Sequence, residues 1–241
     1  MSGKKSSSVP SSGHIDFVCT IGRMNPPTPG HAKLISKVLD EGLRHGLTDV
    51  HIILSETVDF DNPLNFATKH HIIERFAVPS IKSTMRRAGK DVDHIRVHIV
   101  PMGKSPLTGI QQMRSESRRS GDVSIVIGED RKDDFNWVQT YLPEAVVGVS
   151  SIPRAKSGGM SGTLVRNLCR ECASITEMDP NFHRLAEIYN EFDMSTAQLE
   201  GIIRMVQSSI KPEAKKGSKR KTAKNSAKGG NKTRKIHRPM P

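Results

Sequence analysis

Residues 22–31, GRMNPPTPGH, combine residue types that suit a phosphate-binding loop. Gly22 lets the backbone approach a ligand closely, and three prolines stiffen the loop that follows. The first amides of the helix predicted to begin near His31 have no intrahelical partners and carry the positive end of the helix dipole. Thr28 and His31 add a hydroxyl and an imidazole. The segment predicts an anion site, and a rigid turn capped by Thr28 is an equally weighted alternative.

A second segment, residues 154–168, reads RAKSGGMSGTLVRNL and is typical of a flexible loop that enters a helix. Ser161 and Thr163 bring hydroxyls to the predicted helix start. Arg166 follows Thr163 by three residues, which places both side chains on one side of a helix. The planar guanidinium of Arg166 suits phosphate oxygens. A Gly-rich linker before an ordinary capped helix explains the pattern equally well.

A third segment, IGEDR at residues 127–131, follows another strand-like run. Gly128 opens the backbone there, and Asp130 and Arg131 supply charges. Glycine and charged residues are common wherever a strand leads into a helix. Taken alone, the segment is better explained as a structural turn than as a site.

Alternating apolar runs and helix-length segments surround these loops. Five runs rich in Val and Ile predict strands, at residues 15–21, 50–55, 95–100, 123–127 and 145–150. They are apolar on both faces, as expected of strands buried in a parallel sheet. Helices are predicted between them, at residues 31–44, 66–88, 107–119 and 134–141. The pattern predicts an α/β fold, a Rossmann-like doubly wound parallel sheet of about five strands, with ligands bound beyond the carboxyl ends of the strands.

Helices are predicted to follow the last strand. One begins near Ser161, another covers about 180–192, and a third opens at Ser195, where Ser195 and Gln198 match a capping box. The third helix has one apolar face, which we expect to lie against the sheet. That face consists of Leu199, Ile202, Ile203, Val206 and Ile210. We therefore assign residues 14–210 to one α/β domain with C-terminal helices.

The charge of the chain is concentrated at its C-terminal end. Residues 211–241 hold nine Lys and three Arg against one acid, Glu213, and account for nearly all of the net charge of +12. This composition predicts a disordered basic tail, and residues 1–13 a disordered leader. The tail is compatible with non-specific binding to nucleic acid, with a nuclear address, or with a solubilising charge run.

Cysteine usage and hydropathy indicate the compartment. The three cysteines are too few and too unevenly spaced for a disulfide framework, which favours a reduced intracellular setting. No apolar run approaches the roughly 18 residues that cross a bilayer, and no apolar segment follows the basic N-terminus as in a secretory signal. We expect a cytoplasmic protein without a membrane partner, nuclear if the tail is an address. A homo-oligomer is left open.

The first two segments together resemble the nucleotidylyltransferase superfamily. GRMNPPTPGH is similar to its first signature, a T/H-x-G-H motif after a glycine-bearing first strand, and MSGTLVR is similar to its second, of the I-S-[SGT]-T-x-x-R type. The order and separation of the two motifs agree with the family, and the resemblance covers roughly residues 15–172. Met24 stands where Phe is usual, and Met160 where Ile is usual.

The resemblance implies transfer of a nucleotidyl group from a nucleoside triphosphate to a phosphate-bearing acceptor, with release of pyrophosphate. By position His31, Thr28 and Arg166 would form the catalytic set, His31 donating a hydrogen bond near the bond that breaks. Mg²⁺ would arrive bound to the triphosphate, so no dedicated protein ligands are expected. The implied nucleotide-binding residues are Gly22, Arg23, Met24, Asn25, Thr28, His31, Gly128, Asp130, Arg131, Ser161, Gly162, Thr163 and Arg166.

The acceptor is suggested by a further likeness. DNPLN, at residues 61–65, resembles a segment of nicotinamide-type mononucleotide adenylyltransferases, which favours ATP with nicotinamide or nicotinate mononucleotide. Asn62, Trp137 and Arg154 would contact the acceptor, with Trp137 stacked on a flat ring, although a single Trp on a helix is more often a packing residue. Cytidylyl transfer to a phospho-alcohol or phospho-sugar is the alternative.

Overall fold

The computed structural model describes residues 14–59, 61–117, 121–131, 133–141, 146–152, 161–176, 178–192 and 194–209. Within these ranges the chain forms five strands, whose ends agree with the predicted strands to within two residues. They are β1 (Ile15–Gly22), β2 (Asp49–Leu54), β3 (Arg96–Pro101), β4 (Asp122–Gly128) and β5 (Val146–Ile152). The predicted leader, 1–13, and the predicted basic tail, 211–241, lie outside the described residues.

The strands form one sheet in the order β3-β2-β1-β4-β5, with each neighbouring pair parallel. The chain runs outward from β1 through β2 to β3, then returns to place β4 on the other side of β1. This reversal makes the carboxyl ends of β1 and β4 the topological switch point, where α/β sheets bind ligands. Thr20 lies opposite Val126, so Gly22 and Gly128, each two residues further on, end side by side.

Helices connect the strands and follow the last of them. They are α1 (Pro29–Arg44), α2 (Phe66–Ile72), α3 (Val78–Arg87), α4 (Pro106–Ser117), α5 (Trp137–Tyr141), α6 (Gly162–Glu171), α7 (Pro180–Tyr189) and α8 (Thr196–Ser209). The segment predicted as a single helix over 66–88 is helical, but a π-helical turn, Ile73–Ala77, separates α2 from α3. Pro79 follows this turn and has no N–H to donate to the carbonyl of Arg75, which disfavours an unbroken α-helical ladder there.

Both faces of the sheet are covered, which confirms the doubly wound α/β fold. The side chains of β1 alternate between the two faces of the sheet and belong to two apolar clusters. Val18 belongs to one cluster, and Phe17 and Cys19 belong to the other. The first cluster includes residues of α1, α2, α3, α6, α7 and α8. The second includes Ile110 and Met113 of α4 together with Phe135.

The C-terminal helices α6, α7 and α8 contact one another. The capping box that opens α8 is present, since Gln198 Oε1 accepts from the Ser195 amide at 2.8 Å. The apolar face of α8 is buried as predicted at Leu199, Ile202, Ile203 and Val206. It packs against α6 and α7 and belongs to the apolar cluster that also contains residues of β1, β2 and β4, and Gln207 donates to the Cys169 carbonyl at 2.8 Å. Among the described helices, none combines the length and apolar character needed to cross a membrane.

Candidate functional site

The N-terminus of α1 lies at the carboxyl end of β1, as the sequence predicts. Thr28 is the N-cap residue and Pro29 the first helical residue, a position that suits proline because its missing N–H would have no intrahelical partner. The Thr28 carbonyl accepts from the amides of His31 at 2.8 Å and Ala32 at 3.0 Å. Thr28 itself is only 2% exposed, so it acts as the fixed start of the helix.

His31 is oriented by Thr28. The main-chain N–H of Thr28 donates to His31 Nδ1 at 3.0 Å, and the Thr28 hydroxyl lies 2.9 Å from the same nitrogen. Because Nδ1 accepts, the single proton of the neutral ring resides on Nε2. Burial lowers the pKa of His31 from 6.5 to about 4, since desolvation disfavours the charged ring. At neutral pH His31 therefore offers an N–H donor without a positive charge.

Asn25 connects the loop after β1 with the loop after β2. Its side chain donates from Nδ2 to the carbonyl of Leu64 at 3.0 Å and accepts from the amide of Leu64 at 3.1 Å. Asn25 is 4% exposed, and both ends of its amide are used in this exchange. The structure thus assigns Asn25 to holding the loop, while its predicted nucleotide contact stays a prediction. Next to it, Met24 is buried and has a positive φ of 41°.

The second predicted motif meets the first at this loop. Ser161 caps α6, its Oγ accepting from the amide of Leu164 at 3.1 Å. Gly162 lies so close to the loop that a Cβ there would be 3.0 Å from the carbonyl oxygen of Asn25. Arg166 donates from Nη1 to that same carbonyl. The start of α6 is therefore packed directly on the loop between β1 and α1.

Arg166 is a buried cation shared by the two motifs. It is 8% exposed and donates from Nη2 to Thr163 Oγ1 at 3.0 Å, which confirms that the two side chains lie on one side of α6. Burial lowers the pKa of Arg166, while the nearby carboxylate of Asp61 raises it and the charge of Arg23 lowers it. Arg23 is exposed at the end of β1. The two arginines bring guanidiniums, which suit phosphate, to a place where the carboxylates of Asp61 and Asp59 also act on Arg166.

Tyr189 is a member of the site that the sequence did not indicate. From α7, its hydroxyl donates to the carbonyl of Pro27 at 2.6 Å, and the ring is buried. Burial raises the pKa of Tyr189, so the hydroxyl keeps its proton and remains a donor. No local pattern marks this residue, because its partner lies 162 positions earlier in the chain.

The remaining predicted nucleotide-binding residues border the crevice. The carbonyl of Gly22 accepts from the amide of Ser55 at 3.0 Å, and Gly128 ends β4 beside it. After Gly128 the chain makes a 3₁₀ turn over Glu129–Arg131. Arg131 is exposed and pairs with Asp134 at 2.7 Å. Asp130 lies in the same turn, and its side chain is outside the described residues.

The predicted acceptor residues occupy different positions. Asn62 is buried and donates from its amide and from Nδ2 to Asp59 Oδ1, at 2.7 and 2.8 Å, which fixes the turn before Leu64. Trp137 begins α5 and lines a cavity of about 290 Å³. The other lining residues are Ser105, Pro106, Leu107 and Tyr141. Arg154 lies outside the described residues.

The donor set of the crevice suits an anion. Over the part of the chain that the structure describes, no group of three or more His, Cys, Asp or Glu side chains is arranged to hold a metal ion. The hydroxyls, helix-end amides, imidazole N–H and guanidiniums that converge are groups that bind phosphate oxygens, and the carboxylate of Asp61 lies near Arg166 among them. This set fits Mg²⁺ that arrives already coordinated by a triphosphate better than a bare cation.

Together these contacts hold the loop between β1 and α1 next to the start of α6 at the switch point. We call these two segments the floor, and Asn25, Arg166 and Tyr189 hold it in place through hydrogen bonds to main-chain atoms. A scan against models of known protein families and a search of curated proteins each return no match for this chain.

Proposed function

We propose that the protein is a nucleotidylyltransferase. It transfers the nucleotidyl group of a nucleoside triphosphate, ATP in preference to the others, to a phosphate-bearing acceptor such as nicotinamide or nicotinate mononucleotide. The observation that carries the proposal is the convergence of two helix starts, a type of structure that suits phosphate. Gly162 at the start of α6 and the loop that leads into α1 meet at the carbonyl of Asn25, beside the switch point of the sheet.

The reaction needs little covalent chemistry from the protein. An oxygen of the acceptor phosphate attacks the α-phosphorus, and the bond from that phosphorus to the bridging oxygen breaks, so that pyrophosphate leaves with the bonding electron pair. Charge develops on the α-phosphate and on the leaving group, and fixed donors stabilise it. His31 serves the α-phosphate, because Thr28 holds its ring with the proton on Nε2. Mg²⁺ bound to the phosphates would neutralise part of their charge.

The start of α6 serves the β- and γ-phosphates. Its free amides and the hydroxyls of Ser161 and Thr163 supply uncharged donors. Arg166 balances the charge of the leaving pyrophosphate from its buried position beside Thr163. Because its side chain is already held by Asn25 and Thr163, no rotamer has to be ordered when the triphosphate binds.

The cavity beside Trp137 favours an acceptor with a flat ring. Its volume of about 290 Å³ is at the small end of ligand pockets, and Trp137 and Tyr141 supply aromatic faces. It lies between the start of α4 and both ends of the short helix α5, and both helices follow strands that end at the carboxyl edge of the sheet. A phospho-alcohol would make little use of these rings, which is why cytidylyl transfer is the second choice.

The test is a matrix of substrates. Purified full-length protein is incubated with Mg²⁺, each of the four triphosphates and each candidate acceptor, and pyrophosphate release is followed. Turnover is expected with ATP and a pyridine mononucleotide, and turnover confined to CTP with a phospho-alcohol would select the alternative. No turnover with any pair, together with no triphosphate binding by calorimetry, would refute the proposal.

Two histidine variants test the role assigned to His31. His31→Ala should lose several powers of ten in kcat with a retained fold, because the Nε2 donor acts on the transition state. His94→Ala removes an exposed histidine that precedes β3, at the opposite edge of the sheet. It should turn over at the wild-type rate. Equal activity of the two variants would remove His31 from the mechanism.

Nucleic-acid binding is a second candidate function, and the charge of residues 211–241 favours it. A run of lysines and arginines without aromatic residues binds phosphate backbones through counterion release, with strong dependence on salt. A truncation after residue 210 should lose salt-sensitive binding to DNA and RNA while it keeps nucleotidyl transfer. Unchanged nucleic-acid affinity after truncation would exclude the tail as the cause.

A further inference from the structure

Lys69 is a buried cation that the proposed reaction does not use. It lies on α2, is 0% exposed, and donates from Nζ to the main-chain carbonyl of Ser55. Burial lowers its pKa, while the carboxylate of Glu56 raises it. Burying an ammonium costs several kcal/mol unless partners compensate. A methionine would fill the same space without that cost, so the charge calls for a reason beyond packing.

Ser55 joins Lys69 to the nucleotide side of the crevice. The residue directly follows β2, and its amide donates to the carbonyl of Gly22 at 3.0 Å. Its carbonyl accepts from Lys69 Nζ. The segment at Ser55 is thus held between the end of β1 and the ammonium of Lys69 on α2.

Glu56 joins the same segment to the acceptor side. Its Oε2 accepts from the amide of Gly103 at 3.1 Å. Gly103 has a positive φ of 67°, a conformation that glycine adopts without strain. It lies in the loop from β3 to α4, two residues before Ser105, which lines the cavity beside Trp137.

We propose that Lys69 is a positioning residue that couples the nucleotide floor to the acceptor pocket through Ser55, Glu56 and Gly103. The ammonium fixes the segment at Ser55 and attracts the carboxylate of Glu56, and that carboxylate holds the loop that presents the start of α4. Its effect on the acceptor rests on the proposed function, whereas its effect on the loop does not.

The nucleotide side has other supports, so loss of Lys69 should affect the acceptor side more. Asn25, Arg166 and Tyr189 hold the floor independently. The loop between β3 and α4 is connected to the segment at Ser55 by the Glu56–Gly103 hydrogen bond, beside a main-chain bond from the Met102 amide to the Leu54 carbonyl at 2.8 Å. A split between the two substrates is therefore the signature of a positioning role, since a general loss of stability would affect both.

The first measurement is amide hydrogen exchange at Gly103 in the full chain, read by NMR. Lys69→Met keeps the length of the stem but removes the donor, and it should speed exchange at Gly103 at least tenfold. The matched control is Lys82→Met. Lys82, on α3, also donates to a main-chain carbonyl, that of Ile95 at 2.6 Å. This contact lies just before β3, at the amino edge of the sheet. The Lys82 variant should leave Gly103 exchange within twofold of wild type, and unchanged exchange in Lys69→Met would overturn the proposal.

The second measurement is kinetic, with ATP and nicotinamide mononucleotide as probes. Lys69→Met should raise KM for the mononucleotide about tenfold and leave KM for ATP within threefold. Equal increases in both would indicate a purely structural role and overturn the proposal. Wild-type protein that neither turns over these substrates nor binds triphosphate would refute the proposed function, and Gly103 exchange would still decide the role of Lys69.

Glu56→Ala provides the second variant, because Glu56 is exposed and its replacement leaves the core intact. It should reproduce the faster exchange at Gly103 and the higher acceptor KM. In the double variant with Lys69→Met the two effects should not add, since both residues act through one segment. If Lys69→Met does not fold, Glu56→Ala alone decides: unchanged Gly103 exchange and unchanged acceptor KM would overturn the coupling.

Discussion

The guanidinium of Arg166 donates to the main-chain carbonyl of Asn25, 141 residues earlier in the chain. The contact connects the start of α6 with the loop after β1 and sets the distance between the two segments that we propose to bind phosphate. It also satisfies a buried carbonyl that no secondary structure would satisfy. The pairing therefore serves the fold and the candidate site together.

Replacing Arg166 with Met should cost stability and affinity together. The Asn25 carbonyl would lose a charged donor, which corresponds to about 2 kcal/mol of unfolding free energy. Triphosphate affinity should fall at least tenfold, because the floor loses its buried cation. Urea unfolding and calorimetry measure the two effects. Arg204→Met removes an exposed partner of Glu200 on α8 and should change stability by less than about 0.5 kcal/mol. An Arg166→Met protein as stable as wild type would contradict the assignment.

Two glycine-to-alanine variants should act in opposite directions. Gly162→Ala brings a Cβ to 3.0 Å from the Asn25 carbonyl and 3.2 Å from Arg166 Nη1. Because Arg166 also holds that carbonyl, the small displacement needed should cost about 1–3 kcal/mol. Gly201→Ala lies inside α8 with open space around it. It should stabilise the protein by about 0.5–1 kcal/mol through helix propensity. Urea unfolding of both variants checks the signs, and a stabilising Gly162→Ala would show that the close approach is not maintained in solution.

Removing the Tyr189 hydroxyl should destabilise the loop between β1 and α1. Tyr189→Phe leaves the buried carbonyl of Pro27 without its donor, with an expected loss of about 1–2 kcal/mol. Thermal unfolding provides the measurement. Tyr141→Phe is the control, since Tyr141 is 66% exposed and its variant should unfold at the wild-type temperature. Identical unfolding of all three proteins would mean that the Tyr189 contact contributes nothing.

Acid should destabilise the protein through His31. Its pKa is about 4 in the folded protein, below the ordinary 6.5, so the unfolded chain takes up the proton first as the pH falls. The stability from neutral His31 is complete above pH 6.5 and is lost as the pH falls toward 4. The unfolding free energy of the wild type, measured relative to that of His31→Gln, should therefore fall by about 2 kcal/mol between pH 7.5 and pH 4.5. Urea unfolding at several pH values tests this, and parallel pH curves would contradict it.

The strands and most helices could be predicted because their signals are local. Runs such as VHIILS carry β-branched and apolar residues on both faces, and the ends of all five strands were located within two residues. Ser161 and Ser195 were recognisable as helix starts because a cap depends on neighbouring residues. The π-helical turn before Pro79 was not predicted, since the apolar spacing continues through it.

Contacts within the candidate site could not be predicted, because they depend on residues far apart in sequence. Asn25 was expected to contact a ligand, and the structure shows its side chain exchanging hydrogen bonds with Leu64. Tyr189 and Lys69 lie in helices whose sequence patterns predict which face is buried but not the hydrogen-bond partners of these two side chains. Their partners are main-chain carbonyls, which leave no trace in the sequence.

The order of these partners along the chain has a consequence for synthesis. The loop after β1 is among the first structured parts to be made, yet the Pro27 carbonyl finds its partner only when Tyr189 exists. A nascent chain that ends before α7 can already pair its strands, but the Pro27 carbonyl still lacks its donor. Under the proposed function, nucleotide binding would therefore be acquired late in translation, after most of the sheet is complete, and a ribosome-bound fragment of the first 150 residues should fold in part without binding nucleotide.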